Sequence, residues 1–161
     1  MSAYHQIKTL LEKHRIDHQE VYHESVRTSE EAASIRSLYG TGLTIKNGMK
    51  SLLVRLVLKD KTSQVIMIVV PGSKKMNANA VKKFFNAKEI KFLSHEEVFD
   101  VTSGVEVGGV PPFGNIFDLP TYFDAEVLEN EKIVFNAGDK CVSIIMDSKD
   151  WYEVVKPIVI Y

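Results

Sequence analysis

The sequence predicts an α+β fold: a mixed, mostly antiparallel, barrel-like curved sheet surrounded by helices, in a single domain over residues 1–161. Three observations predict it. Two apolar, β-branched runs flank the polar "KDKTS" in the manner of an antiparallel hairpin. Segments of helical period lie between strands without a regular βαβ rhythm, which disfavours a parallel, doubly wound sheet. The 161 residues are 45% apolar, enough for one substantial core.

Each element has its own signature. Ala3, Ile7, Leu10 and Leu11 recur at helical spacing opposite Gln6, Lys8, Glu12 and Lys13, so residues 2–14 form an amphipathic helix that covers the sheet. "HQEVYH" is a short strand. In "TSEEAASIRSLYG", Thr28 and Glu31 make a capping box and Gly40 is the stop of a second helix. "KSLLVRLVLKDKTSQVIMIVVPG" is the hairpin, ending at Pro71-Gly72 with its strands central in the sheet. "NANAVKKFFNA" is a helix with Ala80, Val81, Phe84 and Phe85 inward, and "SHEEVFDVT" is another, opened by Ser94 and Glu97. "LPTYFD", "EKIVFNAG" and "CVSIIMD" are strands, "SKDWYEVV" a helix and "PIVIY" a closing strand.

Composition narrows the function. The formal net charge is −1, so a nucleic-acid partner must be met by a local patch. Residues 72–92 supply one: Lys74, Lys75, Lys82, Lys83, Lys88 and Lys91, against the single acid Glu89. These cations could meet phosphates, or could be the wet face of a helix packed through its phenylalanines. Cys141 is the only cysteine, which suits a reducing compartment such as the cytoplasm; its alternating surroundings make it a buried filler. No apolar run approaches the roughly 20 residues that span a bilayer. His14 and His18 are four apart, but the helix should have ended by Asp17, and no carboxylate stands at metal-ligand spacing, so no metal or other cofactor is expected.

"GGVPPFG", residues 108–114, is the segment where chemistry could sit. Pro111 and Pro112 have no N–H, so a ligand along it would meet the amides of Gly108, Gly109, Val110, Phe113 and Gly114. Glycine admits close approach and proline stiffens, giving a site for a carbonyl oxygen or an ammonium-bearing group; a plain tight turn is the alternative. Lys50, opening "KSLLVRLVL", puts an ammonium at the edge of a core strand, where it either meets a polar ligand or reaches water. His23 ends a strand before a capped helix and lines a pocket or is merely exposed. "NAGDK" at 136–140 is a turn between strands.

Taken in order, His23, "TSEEAA", "MKSLLV", "IVVPGSKKMN", "TSGVEVGGVPPFG" and "FNAGDKCVSI" resemble the YbaK-type family, the aminoacyl-tRNA synthetase-associated domain that includes free-standing relatives of the prolyl-tRNA synthetase editing insertion. The resemblance spans nearly the whole chain. It implies trans-hydrolysis of the ester joining a wrong, small amino acid to tRNA, without metal or cofactor and with help from the terminal ribose hydroxyl. On that reading Lys50 holds the acceptor end and is catalytic. His23, Gly108, Gly109, Val110, Pro112, Gly114, Asn136 and Gly138 bind the aminoacyl group, and Lys74, Lys75, Lys82 and Lys83 bind tRNA. The implied partners are the aminoacylated end of tRNA and a synthetase; neither membrane nor DNA is expected. The chain departs from its relatives at bulky Met49, at Pro111 in place of a common serine, and in the longer "SLYGTGLTIKNG", where Thr41 and Thr44 are further candidate contacts. Two other readings stand beside this one: a non-catalytic module that docks on tRNA or a synthetase, and a hydrolase of another small aminoacyl or acyl ester.

Overall fold

The computed structural model describes residues 1–25, 28–38 and 42–161, without the side chains of residues 35, 36 and 38. Gly40, the expected helix stop, and Thr41, a candidate contact, lie outside the described residues. In chain order the elements are α1 (Ala3–Lys13), β1 (His18–Tyr22), α2 (Ser29–Leu38), β2 (Met49–Leu58), β3 (Ser63–Pro71), α3 (Ala78–Phe85), β4 (Ala87–Phe92), α4 (His95–Val101), β5 (Thr121–Phe123), β6 (Lys132–Asn136), β7 (Val142–Asp147), α5 (Ser148–Val155) and β8 (Ile158–Val159). Short 3₁₀ turns at Ile45–Asn47, Gly114–Phe117 and Ala125–Glu129 connect them.

The strands form two sheets. One has the order β4-β2-β3-β5-β8 and holds the hairpin at its centre; the other has the order β1-β7-β6. Pairing is antiparallel except for β3 with β5 and β5 with β8. The expected α+β fold with mixed, mostly antiparallel strands is present, its strands forming two open sheets that do not close into a barrel. Among the described residues they touch as strands at one isolated parallel bridge, Gly48 to Val134. Two asparagines stitch the same seam, Asn47 Nδ2 donating to the Lys132 carbonyl at 2.8 Å and Asn130 Nδ2 to the Lys46 carbonyl at 2.9 Å.

The central strands are buried on both faces, which is why they read as near-continuous apolar runs. Leu53, Met67 and Val69 face the second sheet and pack with Ile133, Phe135 and Ile144, under Ile7 and Leu11 of α1 and Trp151 of α5. The opposite face, with Val54, Leu56, Ile66, Ile68 and Val70, is covered by Val81 of α3. Each such side chain, moved from water to the core, contributes about 1.5–3 kcal/mol before chain entropy is charged against it.

The helices start where the caps say. The Ser94 hydroxyl accepts from the Glu97 amide at 3.1 Å while Glu97 Oε1 accepts from the Ser94 amide at 3.0 Å, and the Glu31 amide donates to Thr28 Oγ1 at 3.0 Å. Two local expectations are corrected, and a segment without an assignment is a strand. Phe84 is 48% exposed, its ring edge meeting Phe85 and Tyr122, because Val81 and Phe85 already fill the buried side of the helix. "AKEIK" is a strand, β4, whose lysines hide its period because it runs along the sheet's edge. Cys141 is exposed; its amide donates to Asp139 Oδ1 at 2.7 Å in the β6–β7 turn, so the buried alternation starts one residue later.

Candidate active site

β2 has a gap along one edge, and the gap is where the cleft forms. Backbone groups alternate in direction along a strand. The Gly48 carbonyl accepts from the Gly72 amide on the β3 side, so even-numbered residues of β2 point their peptide groups to β3. Odd-numbered ones point away: the Leu53 carbonyl accepts from the Leu93 amide on the β4 side. β4 pairs only with Val54–Leu58, and β6 meets the strand at Gly48. Between them no ladder is formed along the edge around Ser51.

A cleft of about 220 Å³ occupies that opening. Lys50 and Ser51 of β2, Thr28 of the α2 cap, Gly108 and Val110 of the glycine-proline loop and Asn136 of β6 all line it. Side chains also alternate, Lys50 sharing a face with Leu52 and Ser51 with Met49, so a cleft lined by both straddles the strand's edge. Lys50 is half-buried and, among the described residues, its ammonium has neither ion pair nor hydrogen bond. Burial holds its pKa below the ordinary lysine value; the Glu30 carboxylate pulls it back up and the Lys75 ammonium pushes it further down.

The glycine-proline loop divides into two halves. Gly108 has φ +92°, a conformation that glycine takes without strain. The Gly109 amide is spent on the Glu106 carbonyl at 2.9 Å, and that of Phe113 on the Pro111 carbonyl at 2.8 Å. The amides of Gly108 and Val110, two of the cleft-lining residues, donate to no acceptor among the described residues. The second half belongs to the core. The Pro112 carbonyl accepts a buried hydrogen bond from Trp151 Nε1 at 2.8 Å, Phe113 is fully buried, and a Cβ on Gly114 would fall on Thr121 Oγ1 and within 2.6 Å of the Leu119 carbonyl.

Of the residues singled out in the sequence, the cleft thus brings together Lys50, Gly108, Val110 and Asn136. Gly109, Pro112, Gly114, Gly138 and His23 stand behind its lining. Gly138 donates its amide to the Gly109 carbonyl at 2.9 Å and packs so closely on Ala3 that a Cβ would come within 2.9 Å. His23 is buried and starts a chain of contacts: Nε2 lies 2.7 Å from Ser143 Oγ, which lies 3.4 Å from Asn136 Oδ1, and Asn136 Nδ2 donates to the Gly108 carbonyl at 2.7 Å. These residues hold the loop in place. Thr44 instead caps the 3₁₀ turn with Asn47, its amide donating to Asn47 Oδ1 at 3.1 Å.

The lysine patch also divides. Lys74 is committed to Asp124 and Glu126, at 3.0 and 3.3 Å, and Lys91 lies 3.7 Å from Glu89. Lys75, Lys82, Lys83 and Lys88 carry no ion pair among the described residues. Ser51 and Thr28 were missed as lining residues. Thr28 reads as a cap and Ser51 as an ordinary strand position, and only the unequal lengths of the β2 neighbours reveal the opening.

A half-buried ammonium and two amides without an acceptor among the described residues line one hollow on an open two-sheet α+β scaffold, a donor set suited to holding a carbonyl oxygen. A model of the aminoacyl-tRNA editing domain matches residues 23–154, and the chain belongs to that family. Its enzyme class is aminoacyl-tRNA deacylase. The chain is 25% identical over 149 residues to the multifunctional Ser/Thr-tRNA deacylase ProXp-y of Escherichia coli (strain K12), covering 92% of this chain and 85% of that protein. It is 26% identical over 137 residues to EbsC of Enterococcus faecalis (strain ATCC 700802 / V583), named as a candidate Cys-tRNA(Pro)/Cys-tRNA(Cys) deacylase, covering 84% and 78%. The crystal structure of a candidate trans-editing enzyme for prolyl tRNA synthetase superposes with a TM-score of 0.77 at 21% identity, covering 99% of this chain and 95% of that one, a likeness of fold. No described helix is long and apolar enough to cross a membrane.

Proposed function

We propose that the chain is a trans-editing deacylase that removes a small, wrongly attached amino acid from tRNA of the prolyl type, acting as one domain over residues 1–161 in the cytoplasm. The observation that carries this reading is that half-buried Lys50, without an ion pair among the described residues, lines one cleft with Gly108 and Val110, whose amides have no acceptor among them. Family membership supports the reaction class, and the names of the relatives support small polar or thiol-bearing amino acids.

Water attacks the ester carbonyl, the oxygen takes up negative charge, and the tetrahedral intermediate collapses to free amino acid and the ribose hydroxyl, which recovers a proton. Lys50 and the loop amides stabilise the oxyanion, and the neighbouring ribose hydroxyl of the substrate relays the proton. The reading needs no metal and no side-chain nucleophile. The need for such an enzyme follows from synthetase chemistry, since a pocket separates amino acids differing by one methylene by only about 1–3 kcal/mol. Lys75, Lys82 and Lys83 meet the acceptor-stem phosphates, and a synthetase that delivers the tRNA is a further partner.

The test is deacylation of a panel of tRNAs charged with alanine, cysteine, serine, threonine or proline. Lys50→Ala, folded as judged by circular dichroism, is expected to lower kcat/KM about 100-fold or more on the best substrate, the scale of losing one oxyanion group. An undiminished rate overturns the role of Lys50. Salt-sensitive tRNA binding with no acceleration by the wild type would make the chain a docking module instead.

A further inference from the structure

The face of the five-stranded sheet that carries Lys50 continues beyond the cleft. Lys50, Leu52 and Val54 alternate onto one side of β2, and Val54 stands in register with Phe92 of β4, so all four side chains share that side. Leu52 lines the cleft, and Phe92, its diagonal neighbour across the ladder, lies about 7–8 Å from it. Phe92 is 61% exposed on the outermost strand. Other exposed aromatic side chains have partners: Phe84 meets Phe85 and Tyr122, Tyr152 meets Phe123, and the Tyr22 hydroxyl donates to Glu20 Oε2 at 2.8 Å. Among the described residues Phe92 meets no aromatic ring. A single exposed phenylalanine needs no explanation by itself; its place beside a hollow that takes an ester is what gives it a use.

We infer that Phe92 is the platform on which the base of the tRNA's terminal adenosine stacks while its aminoacyl ester enters the cleft. This rests on the proposed function and adds a second contact with the same substrate. One side-chain position, Leu52, separates Lys50 from Phe92 on the sheet face, and one ribose separates the ester from the base. The surrounding charge favours a nucleotide. Lys75 lies close enough to Lys50 to act on it through its charge and carries no ion pair among the described residues, so a cation is at hand for the phosphate of the same nucleotide. Stacking on an aromatic ring reads no sequence, which suits a nucleoside common to all tRNAs.

The probes are non-hydrolysable, amide-linked 3′-aminoacyl adenosines carrying alanine, cysteine, serine or threonine, compared with the methylamides of the same amino acids, each titrated calorimetrically into the full chain. Wild type is expected to bind an adenosine compound more tightly than its methylamide. Phe92→Ala is expected to weaken the adenosine compound about fivefold or more and to leave the methylamide unchanged. Phe92→Trp is expected to restore the affinity, its new indole fluorescence changing on titration where that of buried Trp151 in the wild type does not. Equal wild-type affinities for the two compounds, an unchanged affinity in Phe92→Ala, or equal weakening of both compounds overturns the inference. A wild-type dimer that Phe92→Ala dissociates in sedimentation velocity assigns the ring to contact between copies and overturns it too. Deacylation of charged tRNA by the wild type keeps the proposed function standing in each of these cases; loss of both binding and deacylation removes both.

Discussion

Lys50 stands between opposing neighbours, and its titration follows from them. Burial lowers its pKa first, Glu30 raises it and Lys75 lowers it. A cation needed in the transition state is lost as pH rises through this depressed value, so the alkaline limb of kcat/KM should fall below the ordinary lysine range. Glu30→Gln removes the supporting charge and should move that limb to lower pH; Lys75→Met removes the repelling one and should move it higher. pH–rate profiles corrected for spontaneous ester hydrolysis measure both. The sign for stability is the reverse of the usual lysine case. Below its folded pKa the charged, half-buried Lys50 weakens the fold, and that cost is relieved as pH climbs from the folded towards the unfolded value. Lys50 and Gly108 were legible in the sequence because an ammonium opening an apolar strand and a glycine at a proline-stiffened bend are unusual locally. Gly109 and Pro112 were not separable from them, since only coordinates show which amides and carbonyls the turn consumes.

At the level of elements, the loop is braced from behind by α5. Trp151 Nε1 reaches the Pro112 carbonyl inside the core, so Trp151→Phe keeps most of the ring's packing but strands a buried acceptor. It is expected to cost about 1–3 kcal/mol in urea denaturation and to reduce deacylation beyond the loss of folded protein, because the bend loses its support. The helices and the central hairpin could be read from period and caps alone. β4 could not: its lysines mask the alternation, and an edge strand needs few apolar residues. The closing strand shrinks to Ile158–Val159, the two residues in ladder register with Tyr122 and Phe123, and Ile160 adds one backbone bond to the Phe123 carbonyl.

Over the whole molecule, a net charge of −1 conceals an uneven surface. Among the described residues Lys75, Lys82, Lys83 and Lys88 carry no ion pair, while Lys74 is tied down by two carboxylates. If α3 and its flanks face acceptor-stem phosphates, Lys82→Ala should reduce the slope of log K against log salt by about 1. Lys74→Ala should leave the slope unchanged and lower stability instead, leaving Asp124, almost wholly buried, without its cation. Filter-binding titrations over a range of salt separate the two.

The meeting of the two sheets at Gly48 and Val134 has a mechanical corollary. Each ladder is stiff along its own strands, and besides the bridged pair the core packed between the sheets sets their angle, so a pivot there has to shift Leu53, Met67 and Val69 against Ile133 and Phe135. Such a pivot alters the mouth of the hollow while both ladders stay intact. Gly48 itself lines the hollow, so changes at the joint act directly on its wall.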